Sequence, residues 1–158
     1  MEILSMKNFD KIIIIGIGNS GRSDDGLGWA FIDKIKENLP NNFDCEYRYQ
    51  LQVEDAEIVS HYDIVYFIDA HIKQFDKGFD WKDCYPKATD SFSTHELDPE
   101  TVLYITKNIY NRQPKASILG ISGKSFQLQI GLTKIAQENL GHALEFFNEK
   151  TGLKCLKK

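Results

Sequence analysis

Cysteine is scarce in this chain, and no two cysteines lie close together. The 158 residues contain only Cys45, Cys84 and Cys155. An odd number of cysteines at wide spacing, without a C-x-x-C pair, argues against a disulfide framework and against a structural zinc site. We therefore expect a protein of the reducing cytoplasm.

Long apolar runs are also missing. The longest run centres on the isoleucines at positions 12–15, whereas a membrane-spanning helix needs about 20 apolar residues. The first ten residues lack the basic and then apolar order of a signal peptide. The sequence therefore predicts no membrane association and no secretory leader.

Positive charge is not in excess. The chain has 19 lysines and arginines against 23 aspartates and glutamates, which gives a formal net charge of −4. A mildly acidic chain without a basic block lacks the attraction to phosphates on which nucleic-acid binding depends. We expect no nucleic-acid partner. Hydrophobic residues at 42% and charged residues at 27% are ordinary for a globular domain.

Strand-like and helix-like segments alternate along the chain, which is typical of an α/β domain. The length suits one domain, residues 1–158. The sequence predicts three layers, with a mostly parallel twisted sheet of about five strands and helices on both faces. The predicted strands cover residues 11–17, 45–50, 64–68, 79–85 and 117–121, with a further short strand at 153–156. The predicted helices cover residues 27–38, 54–60, 99–110 and 133–150.

Two helix boundaries carry specific signals. Asp98 followed by Pro99 is typical of a helix start, an N-cap aspartate and then proline at the first helical position. Gly152 is typical of the residue after a helix end. The side chains of the last helix that we expect to face the core are those of Ile135, Leu140, Ala143, Leu144 and Phe147.

The segment Gly16–Gly21 matches the GxGxxG fingerprint of dinucleotide-binding proteins. The residues after it disfavour that function. Residues 21–26 are poor helix formers, so no helix opens within the motif to face a pyrophosphate. Asp24 and Asp25 would repel an anionic ligand, and the second strand ends in Arg48-Tyr49-Gln50, without a carboxylate for an adenine ribose. An NAD(P)-dependent oxidoreductase that uses this loop stays as an alternative.

Polar side chains at the predicted strand ends indicate a different site. Ligands of an open parallel sheet bind beyond the carboxyl ends of the strands, where the strand order reverses. Asp24 and Asp25 follow the first strand, Asp69 closes the third, and His95 lies in a later polar loop. Two carboxylates and one imidazole, with coordination positions left open, suit a borderline cation such as nickel or zinc.

Ordinary structural roles are the competing interpretation of these residues. Asp69 can cap a helix or pair with Lys73 or Arg22, and an isolated loop histidine such as His95 is most often a surface residue. Nucleophilic catalysis has no support, because the chain contains no GxSxG elbow and no cysteine next to an apparent base.

Several motifs occur in the order and spacing of one enzyme family. They are Gly16-Ile17-Gly18-Asn19, Ser23–Gly28, Tyr49-Gln50-Leu51 with Glu54 and Ala56, Phe67-Ile68-Asp69-Ala70, Ser93-Thr94-His95, Gly120-Ile121 and Gly131-Leu132-Thr133. In these motifs, which span nearly the whole chain, the sequence resembles the nickel-iron hydrogenase maturation endopeptidases. The run Ser122-Gly123-Lys124 departs from the pattern of many members, which have a proline and acidic residues there.

The resemblance implies a twisted sheet between helices and a specific reaction. These enzymes remove a C-terminal extension from the hydrogenase large-subunit precursor after nickel insertion, and the nickel held by the precursor is the recognition feature. Their metal-contacting residues fall on Asp25, Asp69 and His95, with glutamate in many members where this chain has Asp25. Nickel is then the only cofactor, held by the substrate, and no organic cofactor is expected.

We therefore expect a cytoplasmic endopeptidase, by default a monomer, whose partner is the hydrogenase large-subunit precursor. Asp25, Asp69 and His95 would bind the nickel and carry the catalysis, and Asp25 is one candidate for the general base. A non-catalytic module that senses nickel as a checkpoint is a further alternative. Phe75, Phe79 and Trp81 are expected in the core rather than on a docking surface.

Overall fold

Five strands and four helices make up the computed structural model, which describes residues 10–88 and 97–153. The strands are β1 (Ile12–Ile17), β2 (Phe43–Arg48), β3 (Ile64–His71), β4 (Phe79–Cys84) and β5 (Lys115–Ser122). The helices are α1 (Leu27–Ile35), α2 (Glu54–Val59), α3 (Pro99–Tyr110) and α4 (Lys134–Thr151), with 3₁₀ turns at Ser23–Gly26 and Lys36–Asn38. The strand expected at 153–156 lies outside the described residues apart from Leu153.

The five strands form one sheet in the order β2-β1-β3-β5-β4. The strands β2, β1, β3 and β5 run parallel to one another, and the edge strand β4 is antiparallel to β5. The prediction of a mostly parallel sheet is confirmed. From β1 the chain passes to β2 on one side and then returns to β3 on the other, so the strand order reverses between β1 and β3. In this kind of fold, that switch point is where ligands bind.

Helices cover both faces of the sheet, which confirms the three-layer architecture. On one face, Leu27 and Phe31 of α1 and Phe147 of α4 share a buried cluster with Ile14 and Ile68. The isoleucines of β1 alternate between the two faces and are all buried, as expected of a central strand. The opposite face buries a second cluster, to which α2 contributes Ala56 and Val59, α3 contributes Val102, β1 contributes Ile13 and β3 contributes Phe67.

Strand β3 is longer than the sequence indicates. We expected it to end at Ile68, with Asp69 closing it, but it continues to His71. The reason is that β5 supplies hydrogen-bonding partners for the extra residues, up to the pair His71 and Ser122. Asp69 therefore lies inside β3 and pairs with Ile17, the last residue of β1.

The predicted helix caps are confirmed. The Asp98 carboxylate accepts a hydrogen bond of 2.9 Å from the Thr101 N–H, and Gly152 ends α4 with φ +78°. The prediction that Ile135 faces the core is wrong, because the residue is 40% exposed. The buried stripe of α4 runs through Ala136, Leu140, Ala143 and Phe147, and Ile135 lies about 100° away from Ala136 around the helix. Leu144 is partly buried against the same core.

Other boundaries shift by a few residues. Helix α1 ends at Ile35 and continues as a 3₁₀ turn to Asn38, and β2 begins at Phe43 rather than at Cys45.

Across residues 10–88 and 97–153, no helix combines the length and apolar character that crossing a bilayer requires.

Helix α1 lies unusually close to the sheet, and glycine makes this approach feasible. A Cβ atom at Gly28 would lie 2.6 Å from the carbonyl oxygens of both Ile17 and Ile68. A Cβ atom at Gly16 would lie 2.5 Å from the carbonyl oxygen of Gly28. The start of α1 therefore rests directly on the carboxyl end of β1 and on the adjacent part of β3, which fixes the turn that precedes it.

This contact predicts opposite effects for two glycine-to-alanine substitutions. Gly28→Ala should lower the free energy of unfolding by about 1–3 kcal/mol, because its methyl group overlaps backbone oxygens that cannot move aside. Gly141→Ala should raise it by about 0.5–1 kcal/mol, because position 141 is helical and has no atom within 4 Å of the added carbon. Urea denaturation of both variants measures the difference, and equal effects would contradict the close packing.

Candidate active site at the switch point

Asp69 lies at the reversal of strand order, beside the end of β1. Its two neighbours in the sheet are Ile17 of β1 and Gly120 of β5. Side chains alternate along a strand, so Asp69 belongs to the same face as Val65 and Phe67, the face that α2 and α3 cover. It is half-buried and ends an otherwise apolar row at the edge of the core.

Asp25 reaches the same corner from the loop after β1. It belongs to the 3₁₀ turn Ser23–Gly26, and this turn contacts β3. Its carbonyl oxygen accepts a hydrogen bond of 3.1 Å from the Asn19 N–H. Its carboxyl carbon lies 3.8 Å from the position that a Cβ atom would take at Gly18, the residue after Ile17. Asp25 and Asp69 thus both lie at the carboxyl end of β1.

His95 lies outside the described residues, so its place as a third ligand stays a prediction. The described chain resumes at Leu97, which is buried and donates its N–H to the Leu51 carbonyl oxygen at 3.2 Å. Pro99, at the start of α3, lines the same cavity as Asp69. Within residues 10–88 and 97–153, no three histidine, cysteine, aspartate or glutamate side chains form a group that could hold a metal ion.

The glycine-rich loop uses its backbone N–H groups internally. The Gly21 N–H donates a hydrogen bond of 2.8 Å to the Asn19 side-chain oxygen. The Gly18 N–H donates one of 2.9 Å to the backbone carbonyl oxygen of Arg48. The N–H groups of residues 19 and 22–25 all donate to backbone carbonyl oxygens of the protein. A dinucleotide-binding loop instead offers such groups to the pyrophosphate, so this hydrogen bonding disfavours the oxidoreductase alternative.

Comparison with solved structures finds close matches to this arrangement of strands and helices. The hydrogenase maturating endopeptidase HybD from E. coli superposes with a TM-score of 0.67 at 18% identity, covering 90% of this chain and 94% of its own. The [NiFe] hydrogenase maturation protease HycI from Thermococcus kodakarensis superposes with a TM-score of 0.66 at 22% identity, covering 94% of this chain and 97% of its own. An endopeptidase from Escherichia coli superposes with a TM-score of 0.71 at 20% identity, covering 91% of this chain and 95% of its own.

The chain has the fold of the hydrogenase maturation endopeptidases. The likeness is one of structure, since no protein-family model and no curated protein sequence matches the chain. It extends over at least nine-tenths of each chain in these three comparisons. The family that the sequence motifs resemble is therefore also the one whose fold the chain adopts.

Within this endopeptidase fold, the adjacent acids Asp24 and Asp25 have different surroundings. Asp24 is fully buried, and its carboxylate accepts the N–H groups of Lys124 (2.7 Å), Ser125 (3.0 Å) and Thr133 (2.8 Å). The Thr133 hydroxyl donates a further hydrogen bond of 2.8 Å. Burial raises the pKa of Asp24, but the donors from Ser125, Thr133 and Lys124 outweigh it, so the pKa lies below its usual 3.8.

The run Ser122-Gly123-Lys124 takes part in that contact. Lys124 donates its N–H to Asp24, and a Cβ atom at Gly123 would lie 2.8 Å from the Cβ of Asp24. The Ser122 hydroxyl accepts the Phe75 N–H at 2.9 Å and donates to the Lys73 carbonyl oxygen at 2.8 Å. This run therefore ties the segment after β5 to the loops after β1 and β3.

A cavity of about 380 Å³ opens beside Asp69 on the face that α2 and α3 cover. Apolar side chains of the three central strands line one side of it, and charged side chains line the rest. The apolar residues are Ile17, Phe67 and Ile118, and the polar and charged ones are Asp69, His71, Lys73, Asp80, Lys82 and Glu100. No pattern in the sequence indicates Asp80 or Lys82 as site residues, because only the register of β4 against β5 brings them to this face.

A second cavity, of about 740 Å³, lies between residues 74–79 and α4, but it contains none of the predicted site residues. Phe75 lines both cavities and belongs to neither core cluster, so the prediction of a core position is wrong for this residue. Its ring packs edge-on against that of His71, with 5.1 Å between the ring centroids. Phe79 and Trp81 pack partly buried against the core that includes Phe147, as expected. The smaller cavity, which contains Asp69, is therefore the candidate active site.

The described cysteines are not suited to nucleophilic catalysis. Cys45 is half-buried and Cys84 is buried, and neither forms a disulfide. Burial raises the pKa of the Cys45 thiol to about 11 and that of the Cys84 thiol to about 12. Both therefore stay protonated at neutral pH, and the thiolate is the form that attacks a carbonyl group.

The buried Asp24 carboxylate predicts a specific pH dependence of stability. Asp24→Asn should lower the free energy of unfolding at neutral pH by about 2 kcal/mol, because an amide group cannot accept all the hydrogen bonds that the carboxylate accepts. The pKa of Asp24 is below 3.8 in the folded protein. The stabilisation that the ionised carboxylate provides is therefore present above pH 3.8 and is lost as the pH falls through the folded-state pKa.

Urea denaturation at neutral pH and near pH 2 measures this contribution. The difference in free energy of unfolding between the wild-type protein and Asp24→Asn should be smaller at the acidic pH than at neutral pH. Asp83→Asn serves as the control, since Asp83 is exposed and lies far along the chain from this contact. A difference between wild type and Asp24→Asn that does not change with pH would contradict the ionised, hydrogen-bonded state.

Proposed function

We propose that the protein is an endopeptidase that removes the C-terminal extension of a nickel-iron hydrogenase large-subunit precursor. One observation supports this most: Asp69 pairs with the last residue of β1, and the turn that carries Asp25 packs against the same strand as Asp69. Two carboxylates therefore lie at the switch point of a fold shared with several such proteases.

In this proposal the nickel arrives with the substrate, bound to cysteine thiolates of the precursor. Asp25, Asp69 and His95 supply further oxygen and nitrogen ligands, which a borderline cation such as nickel accepts beside sulfur. Three such ligands alone bind nickel weakly, so the free protein has little affinity for the metal. Recognition then depends on a precursor that already carries it.

The reaction is the hydrolysis of one peptide bond near the bound metal. A water oxygen bonds to the scissile carbonyl carbon, a carboxylate takes the water proton, and the carbon–nitrogen bond breaks as the leaving amine gains a proton. Positive charge near the carbonyl oxygen stabilises the negative charge that develops there. We assign the base to Asp25, because Asp69 is held inside a strand between two neighbours and is better suited to orient an ion.

The experiment that tests the proposal compares nickel-loaded with nickel-free precursor. Mass spectrometry of the products should detect the released C-terminal peptide only from the loaded form. Binding of the loaded precursor without release of a peptide would instead support the nickel-sensing checkpoint. Stabilisation by NAD(P) against thermal unfolding, without either effect, would support the oxidoreductase alternative.

Substitution of the three proposed ligands predicts a large loss of cleavage. Asp25→Asn, Asp69→Asn and His95→Gln should each lower kcat/KM for the nickel-loaded precursor by at least about 100-fold, because each removes a metal ligand or the proton acceptor. Asp83→Asn is the matched control, since Asp83 is exposed on β4 and belongs to the opposite face from Asp80. If the three variants cleave the precursor at the wild-type rate, the site assignment is wrong.

A further inference from the structure

One row of residues crosses four strands on the cavity side of the sheet. Ile17 pairs with Asp69, Asp69 with Gly120, and Gly120 with Asp80. Strands lie about 4.8 Å apart, so the Cα atoms of Asp69 and Asp80 are about 10 Å apart in the sheet. The two carboxylate side chains thus flank a position that has no side chain.

Neither the backbone nor the packing explains glycine at position 120. Gly120 does not have a positive φ. A Cβ atom there would have His71 Cδ2 at 3.6 Å, and His71 Cβ and Phe75 Cε2 at 3.8 Å, which are ordinary contact distances. Glycine inside a strand is destabilising, and it often marks a place where a ligand or another backbone approaches closely.

Asp80 is exposed and belongs to the same face as Cys84 of β4, the face that contains the cavity. Whereas Asp55 pairs with Arg48, no described residue donates a hydrogen bond to the Asp80 carboxylate or forms an ion pair with it. Its carboxylate oxygens are therefore available to donors that enter the gap above Gly120.

We propose that this gap binds a backbone segment of the substrate polypeptide, and that Asp80 accepts hydrogen bonds from its N–H groups. The inference rests on the proposed function. A peptide backbone is narrow enough to lie against a glycine, and its N–H groups form strong hydrogen bonds with a carboxylate. At about 3.4 Å per residue, a segment that crosses from Asp69 to Asp80 places Asp80 two or three residues from the scissile bond.

The first test narrows the gap. Gly120→Val should raise KM for the nickel-loaded precursor at least about tenfold, because the side chain occupies the space of the backbone segment. Its thermal unfolding should remain cooperative, since valine suits a strand. Should Gly120→Val fail to fold, Gly120→Ala decides, because its Cβ has room. Gly141→Ala, on the exposed side of α4, is the control and should keep the wild-type KM.

The second test removes the acceptor. Asp80→Ala should raise KM about tenfold with little change in kcat, as expected for a lost hydrogen bond to a charged group. Asp80→Glu should recover part of this loss. Asp83→Ala alters the same strand on the opposite face, and it should cleave as wild type does. This split between KM and kcat separates substrate positioning from a general effect on folding.

The outcomes distinguish this inference from the proposed function. If wild type cleaves the loaded precursor while Gly120→Val and Asp80→Ala keep the wild-type KM, only the subsite is overturned. A fall in kcat at unchanged KM in Asp80→Ala also overturns it, since Asp80 would then act in the chemical step. If wild type neither binds nor cleaves the precursor, the proposed function fails, and the subsite for this substrate falls with it.

Discussion

The Asp24 carboxylate holds together two parts of the chain that are 100 to 109 residues apart. Its hydrogen bonds fix the segment after β5 against the loop after β1. The adjacent residue is Asp25, so the anchoring of one acid determines where the other lies. A carboxylate buried without donors would be strongly destabilising, whereas here its acceptor positions are met by backbone N–H groups and one hydroxyl.

The remaining geometry of the site follows from the sheet. Because β1 ends at Ile17 while β3 continues to His71, Asp69 is left beside an open strand end. The close approach of Gly28 to β1 and β3 then places the start of α1 directly on that corner. Backbone packing thereby brings two acids to the same corner, Asp25 from the turn after β1 and Asp69 from within β3.

Local patterns in the sequence predicted much of the fold and part of the site. Some signals act through neighbours along the chain and can therefore be recognised from the sequence. They are the isoleucines of β1, the Asp98 N-cap and Gly152. The shared location of Asp25 and Asp69 at one corner could be predicted because parallel strands end at a common edge. The partners of Asp24, and the alignment of Asp80 with Gly120, depend on the register between distant segments, which sequence spacing does not encode.

The position of Ile135 on α4 was predicted wrongly because a shift of one residue turns the helix face by about 100°.

The proposed function requires groups of this chain to enter the coordination shell of the precursor's nickel. Nickel X-ray absorption spectroscopy on the loaded precursor, alone and in a complex frozen before cleavage, measures that shell. Complex formation should add nitrogen and oxygen neighbours to a shell dominated by sulfur, and Asp69→Ala should reduce the addition. A nickel spectrum that does not change on complex formation would contradict the proposed function.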